Sequence, residues 1–168
     1  DKEWKARKYG TGWLIGDTLN SGIGQGFVLA SPLQLAVMTA RIATGKAIMP
    51  RLLRAIDGQE LAVEPAADLG IDPAWLAHVR KGMFDVTNSR RGTAYGSRIV
   101  DDTMRMAGKT GTSQVRNITA AERARGVVSN EDLPWNRRDH ALFVCFAPFD
   151  TPRYAVALVV EHGGGGSL

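Results

Sequence analysis

Cysteine and histidine are scarce in this chain of 168 residues, and both shortages limit the chemistry it can perform. Cys145 is the only cysteine, so an internal disulfide is excluded. It lies within the apolar run ALFVCFAP and is interpreted as a small core residue rather than as a nucleophile. The three histidines show no metal-ligand spacing with one another or with Cys145. The sequence therefore predicts neither a metal site nor a cofactor.

Long apolar runs and concentrated charge are also missing. No run reaches the roughly 18 to 20 apolar residues of a transmembrane helix, so no membrane segment is predicted in this chain. The formal charge of +4 comes from lysines and arginines spread along the sequence, and no nucleic-acid recognition module accompanies them. The apolar fraction of 44% and the charged fraction of 23% are instead typical of a globular domain with its own core.

Two segments have the periodicity and the end signals of helices. The segment SPLQLAVMTARIATG has a capping Ser31, then Pro32, and ends at Gly45, and it is predicted to be a buried helix. A second helix is predicted from Asp72 to about Val86, with Asp72 as its N-cap. Its large apolar residues recur at roughly helical spacing and are assigned to the core: Trp75, Leu76, Val79, Met83 and Val86.

Two apolar runs, HALFVCFAP and RYAVALVVE, are predicted to form an antiparallel hairpin whose first strand is apolar on both faces. With KTGTSQV as a third strand, the sequence predicts an α+β fold, in which an antiparallel sheet is covered by helices. A polar, charged segment at 117–139 precedes the hairpin. The glycine-rich stretch from Gly163 to Ser167 is compatible with either a flexible linker or a glycine-rich turn.

The stretch AGKTGTSQV, residues 107–115, is compatible with two kinds of site. Gly-Lys-Thr ends the phosphate-binding loop of nucleotide hydrolases, whereas Lys-Thr-Gly begins the substrate strand of serine acyl-transferases. A phosphate-binding loop needs a glycine five residues before Gly108, where this sequence has Thr103. It also needs a buried strand before it and a helix after it, and neither is predicted here. These features argue against a nucleotide hydrolase.

On a strand, the same residues would form a binding edge for a peptide carboxylate. Thr110 and Thr112 share one face, so both hydroxyls can reach the same carboxylate. Lys109 belongs to the other face, and its long side chain would bend over the strand edge to supply the countercharge. Gly111 leaves room for a peptide backbone to pair with the edge. The alternative is that GKTGTS is a turn with solvated hydroxyls.

Four segments, in order along nearly the whole chain, resemble the penicillin-binding protein transpeptidases. They are LNSGIGQGFVLASPLQLAVMTARIATG, KTGTSQV, DHALFVCFAP and YAVALVVEHGGGGS. The resemblance is closest to the penicillin-binding protein 2 group of the bacterial elongation machinery. It implies a fold like that of penicillin-binding proteins and serine β-lactamases, with a five-stranded antiparallel sheet of which three strands lie in this chain.

The catalytic cleft of that family combines three motifs, and this chain contains one of them. None of its seven serines is followed by a lysine three residues later or by an asparagine two residues later, so Ser-x-x-Lys and Ser-x-Asn are absent. Residues 1–168 are therefore expected to form the C-terminal portion of a transpeptidase domain, without the part that contains the nucleophile and without the final helix. The fragment alone is expected to be inactive.

The resemblance assigns roles to the residues of the Lys-Thr-Gly strand. Lys109 is expected to be the electrostatic partner of the catalytic serines and of the substrate carboxylate. Thr110 and Thr112 are expected to hold that carboxylate, with the Thr112 N–H as one of two donors to the oxyanion. Gly111 and Ser113 complete the expected substrate-binding strand.

Two other segments resemble parts of the family that lie near the cleft. In SGIGQG, Gln25 is a candidate for supporting the site from outside, and Gly24 and Gly26 are expected to shape the backbone. RRGTAYG, from Arg90, resembles a segment close to the start of the active-site strand and is interpreted as structural, with its two arginines solvated.

The resemblance implies a parent protein that is a peptidoglycan D,D-transpeptidase, acts on stem peptides ending in D-Ala-D-Ala and is acylated by β-lactams. It also implies an anchor in the bacterial inner membrane, a catalytic domain on the periplasmic face, and partners that include a glycan polymerase and elongation scaffold proteins. The alternative function is a noncatalytic module that binds peptide carboxylates at the threonine-lined strand edge.

Overall fold

A computed structural model describes residues 1–116 and 118–166 of the chain. Two compact units are present, Asp1–Ser31 and Pro32–Leu168. Asn117, at the start of the predicted polar segment, and Ser167, at the end of the glycine-rich stretch, lie outside the described residues.

The first unit contains two short helices, α1 at Lys2–Tyr9 and α2 at Ile15–Gly22. A buried ion pair joins them, because Lys5, only 4% exposed, lies 2.5 Å from the Asp17 carboxylate. The ammonium of Lys5 also donates to the Gly12 carbonyl at 2.9 Å. Its hydrogen bond to Asp17 lowers the pKa of that carboxyl. Four aromatic rings pack near this pair: Trp4, Tyr9, Trp13 and Phe27.

The described residues of the second unit include three helices, α3 at Pro32–Thr44, α4 at Pro73–Asn88 and α5 at Ala120–Arg125. The first two are the helices that the sequence predicts. Asp72 caps α4 as expected, since its side chain accepts a hydrogen bond from the Ala74 N–H at 2.8 Å. The polar segment before the hairpin is not wholly irregular, because it contains α5 and a 3₁₀ turn at Trp135–Arg137. Another 3₁₀ turn, at Tyr95–Ser97, lies after α4.

A small hairpin lies between α3 and α4, with β1 at Ala55–Ile56 and β2 at Gln59–Glu60. Its two-residue loop is Asp57 and Gly58, and both residues have positive φ, at 50° and 80°. Asp-Gly is among the sequences that favour such a loop, because both positions need the left-handed region of backbone space.

In the described part of the chain, the main sheet has three antiparallel strands, β3 at Ala107–Ser113, β4 at His140–Ala147 and β5 at Tyr154–Val160. The strand order is β3-β4-β5, so β4 is paired on both edges. All three are the predicted strands, and the predicted α+β class is confirmed.

The register divides the sheet into two faces, because directly opposed side chains lie on the same face. Ala107 is opposite Phe146, and Phe146 is opposite Ala155. Helix α3 packs on β4 and β5, and α4 packs on β3, all on this face, which we call the helix face. The core there comprises Ala43, Met83, Ala107 and Phe146.

Both predicted helices are less buried than the sequence suggests. The prediction of a buried α3 is wrong over much of its surface, since Leu33 is 58% and Met38 is 43% exposed. In α4, Met83 is in the core as predicted, but Trp75 and Val79 are 68% and 48% exposed. The sheet contacts only one stripe of each helix, so apolar residues outside that stripe keep their contact with solvent.

The second face of the sheet, which we call the opposite face, includes Thr110, Phe143 and Leu158. Two loops lie near it: the segment 89–100, which is the first part of the connection from α4 to β3, and the glycines after β5. Both contribute to a pocket whose lining includes Ala94, Ser97, Phe143, Leu158 and Gly166.

The described glycines after β5 form a packed turn rather than a free linker. Gly164 is buried, has a φ of 82°, and donates its N–H to the Asp139 carbonyl at 2.9 Å. The N–H of Gly163 donates to the Val160 carbonyl at 3.2 Å. Between the two alternatives for this stretch, the structure favours the glycine-rich turn.

Candidate active site

The Lys-Thr-Gly residues lie on β3, at the margin of the main sheet. One edge of β3 pairs with β4, and no strand among the described residues pairs with the other edge. Lys109 is opposite Val144 and therefore belongs to the helix face, as alternation predicts. Its side chain is exposed, and its ammonium donates to the Thr110 carbonyl at 2.7 Å. The positive charge is thus held close to the backbone of the strand.

The same hydrogen bond indicates how the backbone of β3 is oriented. The Thr110 carbonyl is accessible to the ammonium of Lys109. Backbone groups two residues apart point to the same edge of a strand, so the Thr112 N–H lies on the same edge as this carbonyl. The predicted oxyanion donor and the predicted cation therefore lie along one edge of the sheet.

The predicted carboxylate-binding hydroxyls share the opposite face. Thr110 is half-buried and Thr112 is exposed. Ser113, which the sequence groups with them, is opposite His140 and belongs to the helix face. The structure thus places the Thr110 and Thr112 side chains together and directs the Ser113 side chain to the other face.

Gly111 lies where another part of the chain comes close to β3. A Cβ at Gly166 would overlap the carbonyl oxygens of Leu142 and Gly111, so only a glycine fits at position 166. A Cβ at Gly111 would point to the helix face and make an ordinary contact with the Leu142 Cβ at 3.4 Å. The glycine turn after β5 therefore packs on the backbone of the predicted substrate strand.

One residue near this strand was not identified from the sequence. The hydroxyl of Thr93 lies 3.1 Å from the hydroxyl of Thr110. Thr93 belongs to RRGTAYG, for which the sequence predicts a structural role, and Arg90 and Arg91 are exposed as expected. No spacing rule pairs Thr93 with a strand that begins more than ten residues later, so the contact depends on how the loop folds.

The chain beyond β3 is fixed by polar contacts. The Asp139 carboxylate accepts from the Val115 N–H at 3.2 Å, and the Asp139 N–H donates to the Asn130 side chain at 2.9 Å. Arg116 and Glu122 form an ion pair at 2.7 Å. The hydrogen bond from Arg116 lowers the pKa of Glu122, and the same bond raises the pKa of Arg116.

The structure also bears on the two other chemistries considered from the sequence. Gly108, Lys109 and Thr110 lie inside a strand rather than in a loop before a helix, which rules out a phosphate-binding loop. Burial raises the pKa of the Cys145 thiol, which favours the unreactive protonated form. Among the described residues, no group of three His, Cys, Asp or Glu side chains is placed to hold a metal ion.

Gln25 lies in the first unit, in the loop after α2. Its N–H donates to the Asn20 carbonyl at 2.8 Å, and the flanking Gly24 and Gly26 have positive φ of 73° and 72°. The expected backbone role of the two glycines agrees with these angles. The supporting role of Gln25 stays a prediction.

Comparison with known proteins identifies the family of this chain. The profile of the penicillin binding protein transpeptidase domain matches residues 4–168. The chain belongs to this family. Peptidoglycan D,D-transpeptidase MrdA of Haemophilus influenzae is 37% identical over 175 residues, which include 99% of this chain and 26% of that protein. The MrdA protein of Acinetobacter baumannii is 39% identical over 171 residues, which include 98% of this chain and 24% of that protein.

Solved structures of penicillin-binding protein 2 are similar to this chain. The Helicobacter pylori protein in complex with MreC has a TM-score of 0.76 at 36% identity, covering 100% of this chain and 28% of that one. The Pseudomonas aeruginosa protein in complex with WCK 5153 has a TM-score of 0.76 at 40% identity, covering 99% of this chain and 32% of that one. The chain therefore has the penicillin-binding protein fold and spans about a quarter of the curated relatives it matches. No described helix is long and apolar enough to cross a membrane.

Proposed function

We propose that this chain is the C-terminal portion of the transpeptidase domain of a peptidoglycan D,D-transpeptidase. The observation that supports this most directly is the edge strand β3, on which Lys109, Thr110 and Thr112 lie along an edge that no described strand pairs with. The match of residues 4–168 to the family profile, and the D,D-transpeptidase names of its relatives, support the same conclusion.

In the proposed reaction, a serine outside this chain attacks the carbonyl of the penultimate D-Ala of a stem peptide. The C–N bond to the terminal D-Ala breaks, and the released amine takes up a proton. The amine of a neighbouring stem peptide then attacks the acyl-enzyme and restores the serine hydroxyl. β-Lactams acylate the same serine through their ring carbonyl, and the ring amide bond opens.

The residues of β3 act on the substrate and on the developing charge. Lys109 places a positive charge beside the serine relay and the substrate carboxylate. The hydroxyls of Thr110 and Thr112 donate hydrogen bonds to that carboxylate, and the Thr112 N–H donates to the oxyanion. Removal of one oxyanion donor typically costs about 3 to 4 kcal/mol of barrier, so β3 is needed for the chemistry. Gly111 and Ser113 complete the proposed substrate-binding strand.

The proposed setting of the parent protein is the periplasmic face of the bacterial inner membrane, beside a glycan polymerase and scaffold proteins. The complex of the related Helicobacter pylori protein with MreC supports a scaffold partner for this protein as well.

Acylation of the full-length protein by a fluorescent penicillin tests the proposal. Lys109→Ala should lower the acylation rate at least about 100-fold, since a positioned electrostatic group is worth about 3 kcal/mol in such sites. Lys81→Ala is the matched control, because Lys81 is an exposed lysine of α4 that pairs only with Asp85 among the described residues.

The isolated chain, which lacks Ser-x-x-Lys, should remain unlabelled under the same conditions. Binding of D-Ala-D-Ala peptides by the full-length protein without any acylation would instead support a noncatalytic carboxylate-binding module. Unchanged acylation in Lys109→Ala would remove Lys109 from the site.

A further inference from the structure

We propose that Thr93 is a positioning residue for Thr110 and directs the Thr110 hydroxyl toward the substrate carboxylate. This inference rests on the proposed function, because it takes Thr110 to be a carboxylate-binding residue. Thr93 itself does not need to touch the substrate.

In the hydrogen bond between the two hydroxyls, the role of Thr110 determines which hydroxyl donates. Their oxygens are 3.1 Å apart, and each hydroxyl has one proton and two lone pairs. A hydroxyl that binds a carboxylate must donate its proton to it. The Thr110 oxygen is then free to accept the proton of Thr93, so the two hydroxyls form a chain that ends on the carboxylate. Donation by Thr93 also polarises the Thr110 hydroxyl and strengthens its own donation.

The loop around Thr93 is tightly held at the C-terminal end of α4. A Cβ at Gly92 would overlap the backbone oxygens of Val86 and Asp85, so the chain passes directly against that helix end. The N–H of Ala94 donates to the Val86 carbonyl at 3.0 Å, and Ala94 is only 3% exposed. Thr93 is thus flanked by two residues with fixed backbone contacts, although its own side chain is exposed.

The same helix end is bonded to the start of β3. The Thr87 hydroxyl donates to the Met106 carbonyl at 2.7 Å, and the Asn88 side chain donates to the same oxygen at 2.9 Å. Thr87 is fully buried, and Met106 immediately precedes β3. Thr93 and Thr110 are therefore both attached to one hydrogen-bonded junction, which sets the distance between their hydroxyls before any substrate arrives.

The test is the kinetics of β-lactam acylation of the full-length protein, with the binding step separated from the acylation step. Thr93→Val removes the hydroxyl at nearly constant volume and should weaken the initial binding about five- to tenfold, as expected for a hydrogen bond that acts on a charged group. Thr93→Ser, which restores the hydroxyl, should return binding to within about twofold of the wild type. Thr93→Val combined with Thr110→Val should be no weaker than Thr110→Val alone, because the two hydroxyls act as one unit.

The matched control is Thr103→Val. The Thr103 hydroxyl contacts the Asp101 carboxylate at 2.7 Å, outside β3, and its loss should leave binding unchanged. If Thr93→Val fails to fold, Thr93→Ala removes the same hydroxyl with less bulk and should give the same pattern.

Three outcomes would overturn the inference while the wild type is still acylated. They are normal binding in Thr93→Val when Thr110→Val is impaired, a Thr93→Ser variant as weak as Thr93→Val, and additive losses in the double variant. Absence of acylation in the wild type would instead overturn the proposed function.

Discussion

Gly92 shows how a single residue at the α4–β3 junction can be fixed by packing alone. A Cβ there would overlap the Val86 and Asp85 oxygens, which belong to a helix and cannot easily move. Gly92→Ala should therefore destabilise the protein by about 1 to 3 kcal/mol, the usual cost of overpacking. Thermal unfolding of the full-length protein measures this.

Gly96→Ala is the matched control for that substitution. Gly96 lies in the same loop, and a Cβ there would meet no atom within 4 Å. Equal melting temperatures for the two variants would contradict the packing interpretation. A loss of β-lactam binding in Gly92→Ala, together with the loss of stability, would fit the role given to Thr93.

Lys109 and Thr110 show how a position on an edge strand determines the contacts that a residue makes. The sequence predicts their face by alternation, and the register agrees with it. The hydrogen bond from the Lys109 ammonium to the Thr110 carbonyl could not be predicted, because it depends on which edge of β3 is unpaired.

At the scale of elements, the ion pair between Arg116 and Glu122 connects the end of β3 to α5. The hydrogen bond from Arg116 lowers the pKa of Glu122 in the folded protein. A lowered carboxyl pKa stabilises the fold above the unfolded value of about 4.3, and this contribution is lost as the pH falls through the folded value. Glu122→Gln should therefore be less stable than the wild type at pH 7, and the difference should shrink toward pH 3.

Urea unfolding of the full-length protein at pH 7 and at pH 3 measures that difference. Glu131→Gln, at an exposed glutamate of the same polar segment, serves as the control and should change stability little at either pH. A gap between Glu122→Gln and the wild type that stays the same at both pH values would refute the assigned role of the ion pair.

Helices α3 and α4 differ from their predictions in burial rather than in position. Ser31, Pro32 and Gly45 indicate the limits of α3, and Asp72 indicates the start of α4, because caps and helix starts are local signals. The exposed fraction of a side chain is not a local property, because it depends on which elements pack against the helix. Trp75 has the apolar character of a core residue, but it lies on a side of α4 that the sheet does not contact.

At the scale of the whole molecule, β5 leaves one edge and much of one face open. No strand among the described residues pairs with β5 beyond β4. Every second side chain of β5 is apolar and between 48% and 57% exposed: Tyr154, Val156, Leu158 and Val160. An open edge with an apolar, uncharged strip favours association with other chains.

We therefore expect the isolated chain to be marginally stable and to self-associate at micromolar concentration. Val156→Lys should reduce the association, because a charge on the exposed strip opposes strand pairing. Sedimentation of both proteins is the measurement. Leu52→Lys, at a fully exposed leucine outside the main sheet, is the control and should associate as the unmodified chain does.

A monomer of the unmodified chain that unfolds cooperatively would contradict this expectation. It would mean that α3, α4 and the three strands are sufficient for a stable domain, and that the exposed strip of β5 needs no cover from the rest of the protein.

The sequence by itself determined the main strands, the two long helices and the family. The alternation of side chains, the helix caps and the order of the four segments are local or linear signals, which can be read without knowledge of the fold. It could also have predicted the β1–β2 hairpin, since Asp57-Gly58 is a strong two-residue turn. Helix α1 was missed because its residues are mostly polar and have no apolar periodicity.

Only the tertiary structure decided which residues surround β3. The contact of Thr93 with Thr110 depends on a loop that folds back from α4, and the approach of Gly166 to Gly111 depends on the turn after β5. The side of each helix that faces the sheet likewise follows from the packing of α3 and α4 on one face of the three strands. These are contacts between residues far apart in the chain, and their geometry is set by packing rather than by the local sequence.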